Sequence, residues 1–130
     1  MATLCICTDK TEPETLAAEL RKTHRDAHFA YIESIMTQVL VAGPIPTGDG
    51  RGQRGSAFLY ATDDPENALA LLHDDPYYRA GLYETVEVLP FVPAAGSWLG
   101  GGIWQPHVKE RIQAELAAGA ASNAMEQDTP

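Results

Sequence analysis

Residues 38–62 read QVLVAGPIPTGDGRGQRGSAFLYAT. Two apolar runs, QVLVAG (38–43) and AFLYAT (57–62), flank a stretch too rich in glycine and too polar for regular structure. Gly43 and Pro44 end the first run and Ser56 leads into the second, so the spacing predicts two consecutive strands joined by a loop over 44–55. What lies on either side of this pair decides the fold. Upstream, ATLCIC (2–7) alternates, with Leu4 and Ile6 on one face and Thr3, Cys5 and Cys7 on the other, as a strand does. Thr11 followed by Glu14 reads as a capping box with Pro13 in the first turn. Leu16, Leu20, Ala27, Tyr31, Ile32 and Ile35 then recur at helical spacing, predicting a helix over about 12–36. Downstream, Asp63 and Asp64 precede Pro65, the N-cap and first-turn proline of a helix through PENALALLH that stops at Asp75 and Pro76. After a turn in DPYYRAGL, the segment YETVEVLPF (83–91), with Val86 and Val88 on one face, is a fourth strand.

Strand, helix, strand, strand, helix, strand is the βαββαβ order of ferredoxin-like α+β folds, in which a four-stranded antiparallel sheet carries both helices on one face. The other face is expected to be wet, yet the middle strands are apolar on both sides. Val39 and Val41 oppose Leu40 and Ala42, and Phe58 and Tyr60 oppose Ala57 and Leu59. The helices cover one face only, so a homodimer packed sheet on sheet is expected to cover the other.

The chain has 130 residues, with 9 Lys plus Arg against 18 Asp plus Glu, a formal charge of −9, and 45% hydrophobic residues. Such a chain buries a core without disulfides or metals. Its surplus negative charge and lack of a basic run argue against nucleic acid and anionic membranes as partners. No apolar stretch approaches the ~20 residues that span a bilayer. The first run, Ala2 to Cys7, is too short for a signal peptide, so the expected location is the cytoplasm. After Phe91 the composition changes. Residues 1–92 are expected to form the domain and 93–130 a C-terminal extension: a Gly/Trp-rich linker, a short helix QPHVKERIQAELAA with Val108, Ile112 and Leu116 on one stripe, and a disordered end. A higher oligomer through this extension is compatible with its composition.

Candidate chemistry is concentrated in few places. His24 and His28, four apart, share a helix face at a metal-ligand spacing, but Arg25 stands where a zincin carries Glu and no third ligand is evident, so no metal site is expected. Cys5 and Cys7 have neither a redox nor a zinc spacing and read as packed free thiols. Asp75 sits before Pro76 where a helix ends, a position explained by turn chemistry alone unless a histidine lies beside it. Tyr31, Phe58, Tyr60, Tyr77 and Tyr78 suit either a pocket for a planar ligand or the core. GDGRGQRG is neither a P-loop nor a dinucleotide fingerprint, and no cofactor motif is present, so no cofactor is expected.

Four segments together resemble the YCII-related (YciI-like) family of the dimeric α/β barrel superfamily. RDAHFAYIE (25–33) is similar to the family's R-P-A-H-L-x-Y-L-E helix, with Asp26 in place of proline. VLVAGP (39–44) resembles its A-G-P strand and GSAFLYA (55–61) its G-S strand. DDPYYRAGLYETVEVLPF (74–91) resembles its D-P-Y/F signature. The resemblance implies an active site of His28 and Asp75, with Tyr31, Ser56, Phe58 and Tyr77 expected to contact substrate, and leaves His24 outside the motif. Relatives of this kind include an enzyme that removes chloride from a chlorinated hydroxyhydroquinone, muconolactone isomerase, polyketide cyclases and cofactor-free monooxygenases. The implied function is therefore a lyase or isomerase acting by proton transfer or elimination on a small oxygenated ring or polyketide-like substrate. A non-catalytic ligand-binding or accessory protein and a biosynthetic cyclase are the alternatives.

Both tryptophans, Trp98 and Trp104, lie in the uncharged stretch after Phe91, too apolar to rest in solvent. At least one is expected to pack on the domain or on a partner subunit and to emit at blue-shifted wavelength. Fully water-exposed emission from both contradicts this.

Overall fold

The computed structural model describes residues 1–97 and 101–102. The expected helix over 105–118, the end of the chain, Trp98 and Trp104 lie outside the described residues. The chain divides into two units, Met1–Val92 and Pro93–Pro130. In the first, β1 (Ala2–Asp9), α1 (Leu16–Ser34), a 3-10 turn (Met36–Gln38), β2 (Val39–Pro46), β3 (Gln53–Tyr60), α2 (Pro65–His73), the short α3 (Pro76–Arg79) and β4 (Tyr83–Phe91) follow in order. In the second, β5 (Ala95–Gly96) pairs antiparallel with β6 (Gly101–Gly102). The main sheet runs β2-β3-β1-β4, antiparallel throughout, the α+β ferredoxin-like arrangement.

Alternation along β1 divides the sheet. Thr3, Cys5, Cys7 and Asp9 are buried on one side, in register with Tyr60, Phe58 and Ser56 of β3. Phe58 and Tyr60, Ala68 and Leu72 of α2, and Tyr77 and Leu82 form the core there, with Leu20 and Ile32 of α1 and Ile35 at its C-cap packed against it. On the other side one apolar row crosses all four strands at a single register, Val41 to Leu59 to Leu4 to Leu89. Val41 and Leu89 in that row are exposed, as is Phe91 further along β4.

Three local expectations are corrected. Strand pairing continues to Pro46 opposite Gln53, so the loop is 47–52 rather than 44–55. Prolines are tolerated in β2 because it is an edge strand, where one row of N–H groups has no ladder to complete. The turn closes by the Thr47 N–H donating to the Gly52 carbonyl (2.9 Å) and the Gly50 N–H to the Thr47 carbonyl (2.9 Å). Secondly, Thr11 and Glu14 form no capping box. α1 starts at Leu16 with Thr15 at its N-cap and no side-chain cap. Thirdly, a register shift between Val39 and Val41 puts these residues on opposite faces: Val39 pairs with Tyr60 beneath the helices, Val41 with Leu59 on the open side. The N-cap of α2 is as read, with Asp64 accepting from the Glu66 N–H (3.0 Å) and Pro65 in the first turn.

α1 is fastened to the sheet by a buried ion pair. Arg21 donates through Nε and Nη2 to the two oxygens of Asp9 (2.8 and 3.1 Å), and Nη2 also reaches the Gly55 carbonyl (2.9 Å) and Ser56 Oγ (3.0 Å). Burial works against the Arg21 charge, but the hydrogen bond and charge of Asp9 outweigh it and hold the guanidinium pKa above its ordinary value. Gly55 lets β1 and β3 approach at this point, since a Cβ there would lie 2.2 Å from the Cys7 carbonyl oxygen. Gly55→Ala is therefore expected to lower stability by about 2 kcal/mol or more. Gly52→Ala, where the nearest atom is 3.8 Å away, is expected to change little. Urea denaturation of the two variants checks the contrast, and equal midpoints would contradict it.

Candidate active site

Asp75 is the hinge between α2 and α3, and its backbone and side chain serve two purposes. Pro76 occupies the first turn of α3, and the Asp75 carboxylate caps that turn by accepting the Tyr77 N–H at 2.9 Å. The same carboxylate, with no exposed surface, lies 2.8 and 3.0 Å from Nδ1 of His28. Turn chemistry and a histidine partner are thus one arrangement rather than rival explanations. A carboxylate can only accept, so in the neutral imidazole Nδ1 carries the proton and the lone pair is on Nε2. The imidazole is stacked on the Tyr77 ring (centroids 4.0 Å apart, planes 12°) and meets Phe58 edge-on (6.4 Å, 74°). The Tyr77 hydroxyl in turn donates to the Arg21 carbonyl (3.3 Å). Ring position, tilt and tautomer of His28 are all set by neighbours.

His28 lines a cavity of about 410 Å³ between α1 and the β2–β3 end of the sheet. The α1 side is a stripe at helical spacing: Arg21, Arg25, His28, Phe29, Ile32 and Glu33. Across it stand Ala42, Gly43 and Pro44 of β2 and Gln53, Ser56 and Phe58 of β3, with Tyr77 beneath His28. The walls are mainly apolar, with a few polar groups converging, the usual build of a small-molecule site.

Of the residues singled out from sequence, His28, Asp75, Ser56, Phe58 and Tyr77 come together here. Tyr31 does not. It lies on a different side of α1, where its hydroxyl donates to the Leu71 carbonyl of α2 (2.6 Å), so its expected place in the pocket wall is corrected. Tyr60 is core, stacked on Phe58. His24 does not line the cavity, and among the described residues no three His, Cys, Asp or Glu side chains gather as a metal site requires. Cys5 and Cys7 are fully buried. Burial pushes their thiols up to about 11 and about 12, Cys7 helped by the neighbouring Cys5, Asp75 and Asp9, so both stay protonated at neutral pH. Arg21, Arg25 and Gln53 were not foreseen. The i, i+4, i+7 spacing of Arg21, Arg25 and His28 was the available signal for the first two.

Comparison with known proteins agrees with this architecture. The YCII-related domain model matches residues 1–92. Two proteins known as Protein YciI, from Escherichia coli O6:H1 and Shigella flexneri, are each 36% identical over 80 residues, covering 56% of this chain and 82% of theirs. Among solved structures, 5-chloro-2-hydroxyhydroquinone dehydrochlorinase from Burkholderia phenoliruptrix, in complex with 2,5-dihydroxybenzoquinone, superposes with a TM-score of 0.61 at 24% identity. That match covers 75% of this chain and 97% of the other, a likeness of fold. By the extent of the domain match and the identity to these relatives, the chain belongs to the YCII-related domain family.

Proposed function

We propose that this chain is a small-molecule enzyme of lyase or isomerase type that moves a proton on an oxygenated ring or polyketide-like substrate without a cofactor. The observation that carries the reading is the buried Asp75 carboxylate on Nδ1 of His28, which leaves Nε2 as a free base on a ring that lines the cavity. His28 takes a proton from an O–H or an acidic C–H of the substrate, and Asp75 orients the imidazole and stabilises the imidazolium that forms. In an elimination the released electron pair expels the leaving group. In an isomerisation the proton returns at another atom. Neither outcome needs an electron acceptor. Phe58 and Tyr77 offer flat apolar surface to a planar substrate. The same fold carries a dehydrochlorinase held in complex with a dihydroxybenzoquinone, which supports rings of this class as first compounds to assay.

We also propose a homodimer through the open sheet face. The row Val41, Leu59, Leu4 and Leu89 is an apolar strip across the full width of the sheet, and a partner's equivalent strip covers it with the roughly 1,000 Å² a stable interface needs. Among the described residues no helix is long and apolar enough to cross a membrane.

Once turnover is found by screening hydroxylated aromatics and lactones, His28→Asn is expected to keep the fold and lose a factor of about 10² to 10⁴ in rate. Asp75→Asn acts on the same step, so the double variant is little slower than His28→Asn alone. His24→Asn stays near wild type. Turnover largely retained by His28→Asn overturns the mechanism, and ligand retention without any turnover favours a binding protein. Light scattering at micromolar concentration is expected to give twice the 14.0 kDa chain mass, and Leu59→Arg to shift it toward monomer. A wild-type monomer rejects the interface.

A further inference from the structure

Tyr60 is fully buried, and its hydroxyl finds no hydrogen-bond partner among the described residues. The tyrosines around it do otherwise. Tyr31, Tyr77 and Tyr83 each place their hydroxyl on an acceptor, at 2.6, 3.3 and 3.1 Å. Leaving a buried hydroxyl unpaired is costly, and phenylalanine would fill the same space without that cost. Buried polar groups are satisfied, as a rule, by protein or by an ordered water.

The ring sets where the hydroxyl lies. It is parallel to Phe58 (planes 3°, centroids 5.7 Å), and Phe58 meets the His28 imidazole edge-on. Tyr60 and Phe58 share the helix-side face of β3, opposite Thr3 and Cys5 of β1. Burial first, and then the charges of Cys5, Asp75, Cys7 and Tyr31, hold the phenol well above its ordinary pKa. The hydroxyl therefore ends in the part of the core where the Asp75 carboxylate lies.

Asp75 has the complementary shortage. A carboxylate offers about four lone-pair sites. Oδ1 takes the Tyr77 N–H (2.9 Å) and the closer share of the His28 Nδ1–H (2.8 Å), whereas Oδ2 has only the longer share of that same proton (3.0 Å). The residue has no exposed surface, so bulk water supplies nothing further. An unpaired donor and an under-served acceptor thus occupy one buried region without touching. A bridging water joins such groups when it has roughly two to four polar partners. The Tyr60 hydroxyl, Asp75 Oδ2 and the thiols of Cys5 and Cys7 are partners of that kind.

We propose that Tyr60 is a positioning residue for the His28–Asp75 pair, its hydroxyl donating to a single buried water that in turn donates to Asp75 Oδ2. The added donor fixes the rotation of the carboxylate and makes it a weaker acceptor, so the shared proton stays on Nδ1. It also spreads the negative charge of Asp75 when His28 becomes the imidazolium. This catalytic consequence rests on the reading of His28 as the base, whereas the link from Tyr60 to Asp75 does not.

Tyr60→Phe removes the hydroxyl and keeps the ring, and its first two readouts need no substrate. With one donor gone Asp75 accepts more strongly, so the His28 Nδ1–H proton is expected to move downfield in the ¹H NMR spectrum of imidazole-labelled protein. In urea the variant is expected to show a lower midpoint, and that loss to shrink in an Asp75→Asn background, where the carboxylate is absent. A hydroxyl that is merely unpaired gives the opposite result. Its removal then keeps or raises the midpoint and leaves the Nδ1–H signal in place. A crystal structure at a resolution that shows waters is expected to place one between the Tyr60 hydroxyl and Asp75. Once a substrate is known, Tyr60→Phe is expected to lose about fivefold in kcat with KM little changed. An unmoved Nδ1–H signal with an unlowered midpoint overturns the proposal, as does a crystal structure in which protein alone fills that space. If His28→Asn keeps its turnover while Tyr60→Phe shifts the Nδ1–H signal, the base mechanism fails and the Tyr60 link stands.

Discussion

A carboxylate with no exposed surface, Asp75, holds the candidate site together, and an imidazole on a different element satisfies it. Taking a carboxylate out of water is costly unless donors replace the water. The Tyr77 N–H and the Nδ1–H of His28 are those donors, and the second of them ties α1 to the α2–α3 hinge across 47 residues of sequence. A second buried acid repeats the device. Asp9, on β1, is met by Arg21, which stands two helical turns before His28 on the same stripe of α1. Two acids beneath the helix thus fix its height, its rotation about its own axis and the direction in which His28 points. Breaking either pair by removing one partner leaves an uncompensated buried group.

The chemistry of the cavity follows from how these constraints are distributed. Tyr77 belongs to both systems: its N–H caps onto Asp75, its ring carries the His28 imidazole, and its hydroxyl bonds to the Arg21 carbonyl. Ser56 is reached by the Arg21 network from one side and by Tyr83 from another. Cys5 and Cys7, which burial keeps protonated, contribute packing beneath this network.

Much of this was legible before any coordinates, and the remainder was hidden for physical reasons. The order of elements, the bounds of β4 and the Asp64–Pro65 start of α2 follow from local signals of alternation, capping and proline placement. The family resemblance placed His28 beside Asp75, a contact that spacing alone cannot show because it spans two elements. The Leu40 irregularity in β2 was not legible, since an apolar run reads the same with or without a bulge, and one extra residue exchanges the faces of everything beyond it. Tyr31 was misplaced because residues three apart on a helix are about 60° from eclipsing, enough to turn it from the cavity toward α2. Arg21 and Arg25 were passed over because charge on a helix usually means a solvated face, and only the partner strand reveals which arginine is buried.

The central claim is that Asp75 fixes the tautomer of His28, with the proton on Nδ1 and the lone pair on Nε2 toward the cavity. Long-range ¹⁵N–¹H spectra of imidazole-labelled protein, recorded where the ring is neutral, read this directly. The account predicts a protonated Nδ1 and an unprotonated Nε2 for His28 in wild type, and loss of that preference in Asp75→Asn. A His28 ring carrying its proton on Nε2 in the wild-type protein would contradict it.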